Sequence, residues 1–254
     1  MSKHDTKVSL LKVPAVLLWG ALVLALAVPL QASDTLIRVG AFSTLNPGDP
    51  LPAPWEPLKF RKIERHTRYR LVADGDQTVL AAQSRQSASG LIRRVSIDLR
   101  TTPYFNWRWK VTRVYSQGDA TRKDGDDYPA IIYITFAYDP ERVGFLERAK
   151  FEAARLVYGE TPPMAVLNYI WANRVPRGSF VPNAYTSRAI MIAIQSGPAL
   201  AGRWITEKRN VYADYKKAFG REPTAITGVA IMTDTDNTGE SGQAWYGDIF
   251  FSAE

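Results

Sequence analysis

The chain has 254 residues, a formal net charge of +7, no cysteine and two histidines. Without cysteine there is neither a disulfide nor a cysteine for a lipid anchor, so the fold must rest on its core. Only His66 lies beyond the N-terminal leader; zinc sites built from several histidines are excluded by count, and a Ser-His-Asp arrangement would have to use a residue inside the strand-like run "RKIERHTRYR" (61–70).

Lys3, Lys7 and Lys12 surround the start of an apolar run from Val13 to about Val28, and small residues lead up to Ala32. This reads as a secretory signal, residues 1–32, cleaved after Ala32. The run is short for a bilayer crossing and contains Pro14, so no membrane span is expected after cleavage. The expected location is periplasmic or secreted. Residues 33–56 read as an extended Pro/Gly-rich lead-in with Trp55 as a docking residue, and 57–254 as one domain. The mild basic charge suits an anionic surface or glycan. The densest basic cluster, 61–70, carries Glu64 and is too sparse for nucleic acid.

Strands are expected at 57–63, 68–74, 77–83 and 94–99, with "ADGD" (73–76) as a hairpin turn. In "YFNWRWKV" (104–111), Phe105, Trp107, Trp109 and Val111 fall on one face by strict period two. That face suits a core; an aromatic platform for sugar rings is the other reading. Segment 128–138 is apolar on both faces and reads as a central strand. A helix is expected over 144–158, with Phe145, Ala149, Ala153 and Leu156 on its apolar face, and another over 207–219, closed by Gly220. Segment 163–171 suits a short helix or a strand equally. Strands at 187–195, 225–232 and 243–252 complete the chain. Many short strands with two or three inserted helices predict a mainly β, two-sheet β-sandwich of jelly-roll type, with an antiparallel α+β fold as runner-up.

Five blocks carry a resemblance. "FNWRWKV" (105–111), "DGDDYPAIIYITF" (124–136), "YIWANRVPRG" (169–178), "WITEKRNVYADYKKAFG" (204–220) and "GVAIMTDTDNTGESGQAWYGDIFF" (228–251) resemble a bacterial exported envelope family known only as a domain of unknown function. The resemblance spans roughly 57–252 and implies an exported single domain with no catalytic residues to carry over. More loosely, "WYGDIFF" (245–251) is similar to the closing strand of galactose-binding-like jelly rolls. That similarity implies glycan binding and a structural calcium, as an analogy of fold only.

Three groups of residues carry chemistry. In "TDTDNTGESG" (233–242), Asp234, Asp236 and Thr238 have the alternate spacing of a calcium loop, but Trp245 stands where an EF-hand needs its bidentate acid. The loop can therefore supply part of a calcium or other hard-cation site, or simply be a polar turn. In "KDGDDYPA" (123–130), Asp126 or Asp127 could face Asp234, Asp236 or Glu240 if the two strand ends meet. A carboxylate pair at about 5–9 Å is what glycoside hydrolysis needs. Finally Trp171, Asn173, Trp204, Arg209, Asn210 and Tyr246 offer rings and planar polar groups suited to sugars. The leading expectation is non-catalytic binding of a carbohydrate or cell-envelope polymer, with a structural cation. The alternatives are a carboxylate-dependent glycan-cleaving enzyme and a structural envelope protein with a protein partner.

Overall fold

The computed structural model describes Met1 and residues 36–158 and 161–254; the expected signal segment falls outside the described residues beyond Met1. Among the described residues fourteen strands form two seven-stranded sheets. The first contains β1 (Leu36–Gly40), β3 (Arg68–Asp74), β4 (Gln77–Arg85), β6 (Tyr104–Val111), β11 (Ile205–Asn210), β13 (Ser241–Tyr246) and β14 (Ile249–Ser252). Its order is β1-β14-β6-β13-β4-β3, and β11 pairs with the other edge of β6. The second runs β2-β5-β12-β7-β8-β10-β9, from β2 (Trp55–Leu58), β5 (Gly90–Ile97), β12 (Ile226–Met232), β7 (Ile131–Phe136), β8 (Ala165–Ala172), β10 (Ala189–Ser196) and β9 (Phe180–Pro182). The expected two-sheet sandwich is therefore present. All pairings are antiparallel except β8 with β10, which run parallel.

The period-two stripe of β6 closes the core. Phe105, Trp107, Trp109 and Val111 are all buried. Trp107 stacks on Tyr169 of β8 at 5.3 Å between ring centres, and Trp109 meets Trp171 at 6.0 Å. The inner faces of the two sheets thus interlock through aromatic rings, which bury more apolar area per residue than aliphatic side chains. This settles the tryptophan face as core rather than a sugar platform.

Several boundaries differ from expectation for identifiable reasons. The lead-in carries β1, paired with β14, and Trp55 is buried against Phe42 at 5.7 Å. Strand 57–63 stops at Leu58, and residues 59–63 leave the sheet. Segment 163–171 is β8, whose inward Leu167, Tyr169 and Trp171 need period two. Segment 207–219 divides into the end of β11 and α2 (Val211–Phe219) at Asn210, whose side chain accepts from Ala213 N at 2.9 Å as the N-cap. Gly220, at φ 67°, ends α2 as expected. Segment 243–252 breaks between β13 and β14. Helix α1 (Phe145–Tyr158) forms, but its expected apolar face is turned outward: Phe145 and Leu156 are each 82% exposed, whereas Phe151 is buried and stacked on Tyr138.

Helix α2 is fastened to the core by one polar cluster. Asp214 is buried and accepts from Tyr169 Oη at 2.8 Å and from Arg209 Nε at 2.9 Å, with a second guanidinium contact beside it. Replacing Asp214 with Ala strands the fully buried Tyr169 hydroxyl. The expected loss is about 2–3 kcal/mol, read from urea unfolding, and adding Tyr169→Phe should restore part of it. Equal losses in the single and double variants would contradict this role.

Candidate functional site

The acidic loops meet at the end of β12 and ahead of β7. The 233–240 link is not a loose turn. Thr233 and Thr235 are fully buried; the Thr233 hydroxyl donates to Pro129 O at 2.9 Å, and the Thr235 hydroxyl lies 2.7 Å from that of Ser84. Between them Asp234 turns back, and its carboxylate accepts from Tyr128 N at 2.9 Å. A single helical turn follows, closed by Gly239 N to Thr235 O at 3.1 Å, with Gly239 at φ 69° where only glycine is unstrained.

Asp127 enters this turn from the other loop. It is fully buried, and its two carboxylate oxygens accept from Asn237 N at 3.3 Å and Thr238 N at 2.6 Å. A carboxylate on successive free amides is the favourable placement of negative charge at the start of a turn. Asn173 supports Asp127 from behind, donating to its carbonyl at 2.8 Å and accepting from Tyr115 N at 2.8 Å.

One carboxylate oxygen from each of Asp127, Asp234 and Asp236 lies within 4.8 Å of the other two. This group of three carboxylates could hold a metal ion. Burial, then the neighbouring Asp127, pushes the Asp234 carboxyl well above its usual range; the same two causes raise Asp236. Burial also raises Asp126, against hydrogen bonds from Tyr128 Oη at 2.8 Å and Asn183 Nδ2 at 3.3 Å that favour its ionised form.

A cleft of about 940 Å³ opens beside this group on the outer face of the second sheet. Strand alternation makes its floor. With Ile132, Ile134 and Ile231 committed to the core, Ile131, Tyr133 and Met232 face outward, joined by Asn168 and Met191. Asp126, Asp234, Asp236 and Asn237 form one end, Tyr185 and Asn183 stand above, and the Lys59–Ile63 loop forms a rim. Asn168 is 2% exposed; its Nδ2 lies 2.9 Å from Met191 Sδ, and its Oδ1 has no hydrogen-bond partner. An unpartnered buried polar atom costs about 1–3 kcal/mol.

The other expected site residues divide sharply. Trp171 and Tyr246 are fully buried and cannot present a face to a ligand: Trp171 donates to Gly197 O, and Tyr246 donates to Met232 O at 2.6 Å. Asn173 braces Asp127, while Arg209 and Asn210 hold α2. Trp204 lies on the outer face of the first sheet, on the far side of the sandwich, with Arg108 at 4.4 Å from its ring and its indole nitrogen on Asp74. Glu240 is drawn out of the acidic group by Arg113 at 3.4 Å and by Ser116 and Gln117 N, both at 3.1 Å. Thr238 contributes its backbone N–H, its hydroxyl accepting from Glu240 N, and the third carboxylate comes from Asp127. The floor residues Tyr133, Asn168 and Met191 were not singled out in the sequence, although an asparagine among the apolar residues of β8 is a visible anomaly.

Residues 53–250 match the family model described as "Protein of unknown function (DUF3047)". The chain belongs to this family. No curated protein sequence matches it. Among solved structures, a mutant of a carbohydrate binding module of family 29 is similar at 9% identity, covering 87% of this chain and 93% of its own, with a TM-score of 0.35. A native family 12 xyloglucanase from Bacillus licheniformis is similar at 7% identity, covering 86% of this chain and 100% of its own, with a TM-score of 0.42. Among the described residues no helix is long and apolar enough to cross a membrane.

The raised carboxyls set a pH dependence. A carboxyl whose pKa is higher in the fold than in the unfolded chain keeps its proton longer when folded; its contribution is favourable in acid and is lost as pH climbs from about 4 through the raised value. In chelator, Asp234→Asn should therefore gain stability over wild type as pH rises from 4.5 to 8, measured by thermal midpoints. A constant difference across that range would contradict the assignment.

Proposed function

We propose that this is an exported β-sandwich, periplasmic or secreted, that binds a segment of a carbohydrate or cell-envelope glycan in the outer cleft of the second sheet without cleaving it. The observation that carries this reading is the composition of the cleft. An apolar floor of Ile131, Tyr133, Met191 and Met232 adjoins Asn168, Asn183, Asp126, Asp236 and Asn237. Sugars present the same division, with C–H faces that pack on rings and apolar surface and hydroxyl edges that bond to amides and carboxylates. Tyr185, an exposed ring whose hydroxyl lies 3.1 Å from Lys123 O and 3.5 Å from Asn237 Oδ1, is suited to cover a bound sugar.

In this reading a calcium ion occupies the Asp127, Asp234 and Asp236 carboxylates and fixes the end wall. Three carboxylate oxygens supply about half of the oxygen ligands that calcium takes. Asp127 and Asp234 already accept backbone N–H groups, which favours a structural use. A hydrolytic second reading rests on one feature: Asp126 lines the cleft and burial holds its carboxyl above the usual range, as in a general acid. Release of reducing ends from a polysaccharide panel, lost in Asp126→Asn, would favour it over binding alone.

Calorimetry against envelope and plant oligosaccharides should give at least one ligand with a Kd below a millimolar, and Tyr185→Ala should weaken it at least about threefold. Folded protein that binds none of them at millimolar concentration would contradict the proposal. Calcium should raise the thermal midpoint of wild type, and Asp236→Asn should abolish most of that rise; identical midpoints with calcium and with chelator would remove the ion from the account.

A further inference from the structure

Asn168 occupies a position that packing alone does not explain. It sits on the outward face of β8, between the core residues Leu167 and Tyr169, opposite Tyr133 of β7 and Met191 of β10. It is almost wholly buried, yet it lines the cleft. Its amide nitrogen is turned to the Met191 sulfur at 2.9 Å, and its oxygen accepts nothing. A leucine there would fill similar volume with no desolvated acceptor, so the fold gains nothing from the amide oxygen. A buried polar atom without a partner calls for an explanation, and beside a cleft a ligand donor supplies one.

The surroundings limit what that partner is. Met191, Ile131, Tyr133 and Met232 surround the cleft floor. Asn168 Oδ1 is covered in this structure and Met191 beside it is buried, so a donor reaches the oxygen by displacing the flexible Met191 side chain, and it must bring apolar atoms with it because a cluster of hydroxyls placed there would lose its own hydrogen bonds. A secondary amide N–H carrying a short acyl group meets both demands: the N–H bonds to the oxygen and the acyl methyl packs on methionine, whose flexible thioether adapts to small groups. We propose that Asn168 is a specificity-determining residue that accepts a hydrogen bond from the acylamino N–H of an N-acetylated hexosamine unit. This rests on the reading of the cleft as a glycan site, and it narrows that reading to one class of sugar.

The test uses two probes of equal length and linkage, a β-1,4-linked N-acetylglucosamine tetramer and a β-1,4-linked glucose tetramer, titrated into wild type, Asn168→Leu and Asn168→Ala. Wild type should bind the N-acetylated tetramer at least about tenfold more tightly, about 1.4 kcal/mol. Asn168→Leu should lose most of that preference while its thermal midpoint stays equal or rises. Asn168→Ala gives the same affinity readout with a smaller side chain. Equal affinity of wild type for the two tetramers, tighter binding of the glucose tetramer, or preference retained in a folded Asn168 variant overturns the inference and leaves the glycan site standing. Binding of neither tetramer overturns the inference; the wider oligosaccharide panel then decides separately whether the glycan reading survives.

Discussion

The carboxylate of Asp127 is the constraint on which the site depends. It is fully buried and spans two loops far apart in sequence, accepting from Asn237 and Thr238 while its own carbonyl is held by Asn173. A buried carboxyl group is tolerated only when its oxygens are satisfied, so the turn at 236–238 and the loop ahead of β7 are held together. That junction brings Asp234 and Asp236 to Asp127 and fixes the end wall of the cleft. Gly118 shows how tight the support is: a Cβ there would lie 2.0 Å from Asn173 Nδ2.

From this junction the outer face of the second sheet becomes one continuous surface. The inner faces are committed to aromatic interlock, Trp107 on Tyr169 and Trp109 on Trp171. The same alternation sends Tyr133, Asn168 and Met191 outward into the cleft. Structure and candidate function are therefore two faces of the same strands. The far side of the molecule is different: Trp204 lies among Arg108, Lys110 and Asp74, and its indole N–H is already satisfied.

Much of this was legible in the sequence. Period two in 104–111 and the long polar link at 233–240 gave the core stripe and the acidic loop, and Asp126, Asp127, Asp234 and Asp236 were all marked as candidates. Their meeting could not be read, because it depends on β7 and β12 lying side by side, a contact between residues about a hundred positions apart. Trp171 and Tyr246 were misjudged because an aromatic residue has the same composition signal in a core as on a binding face; only strand register distinguishes them. Glu240 was lost to the acidic group through Arg113, a partner with no sequence signature. The outward apolar face of α1 violates the rule by which amphipathic periodicity marks the buried side; Phe151, off that face, is buried on Tyr138. Asn168 was overlooked because a single polar residue in an apolar strand carries weight only once its oxygen is seen to have no partner.

The central claim is that ligand enters the cleft on the second sheet, at the Asp127 junction. Backbone amide NMR of the isotope-labelled protein, titrated with an envelope oligosaccharide at millimolar concentration, tests it most directly. The account predicts shifts concentrated at Tyr133, Asn168, Tyr185 and Asn237, with little change around Arg108, Lys110 and Trp204. Shifts confined to that opposite face, with the cleft residues unmoved, would contradict it.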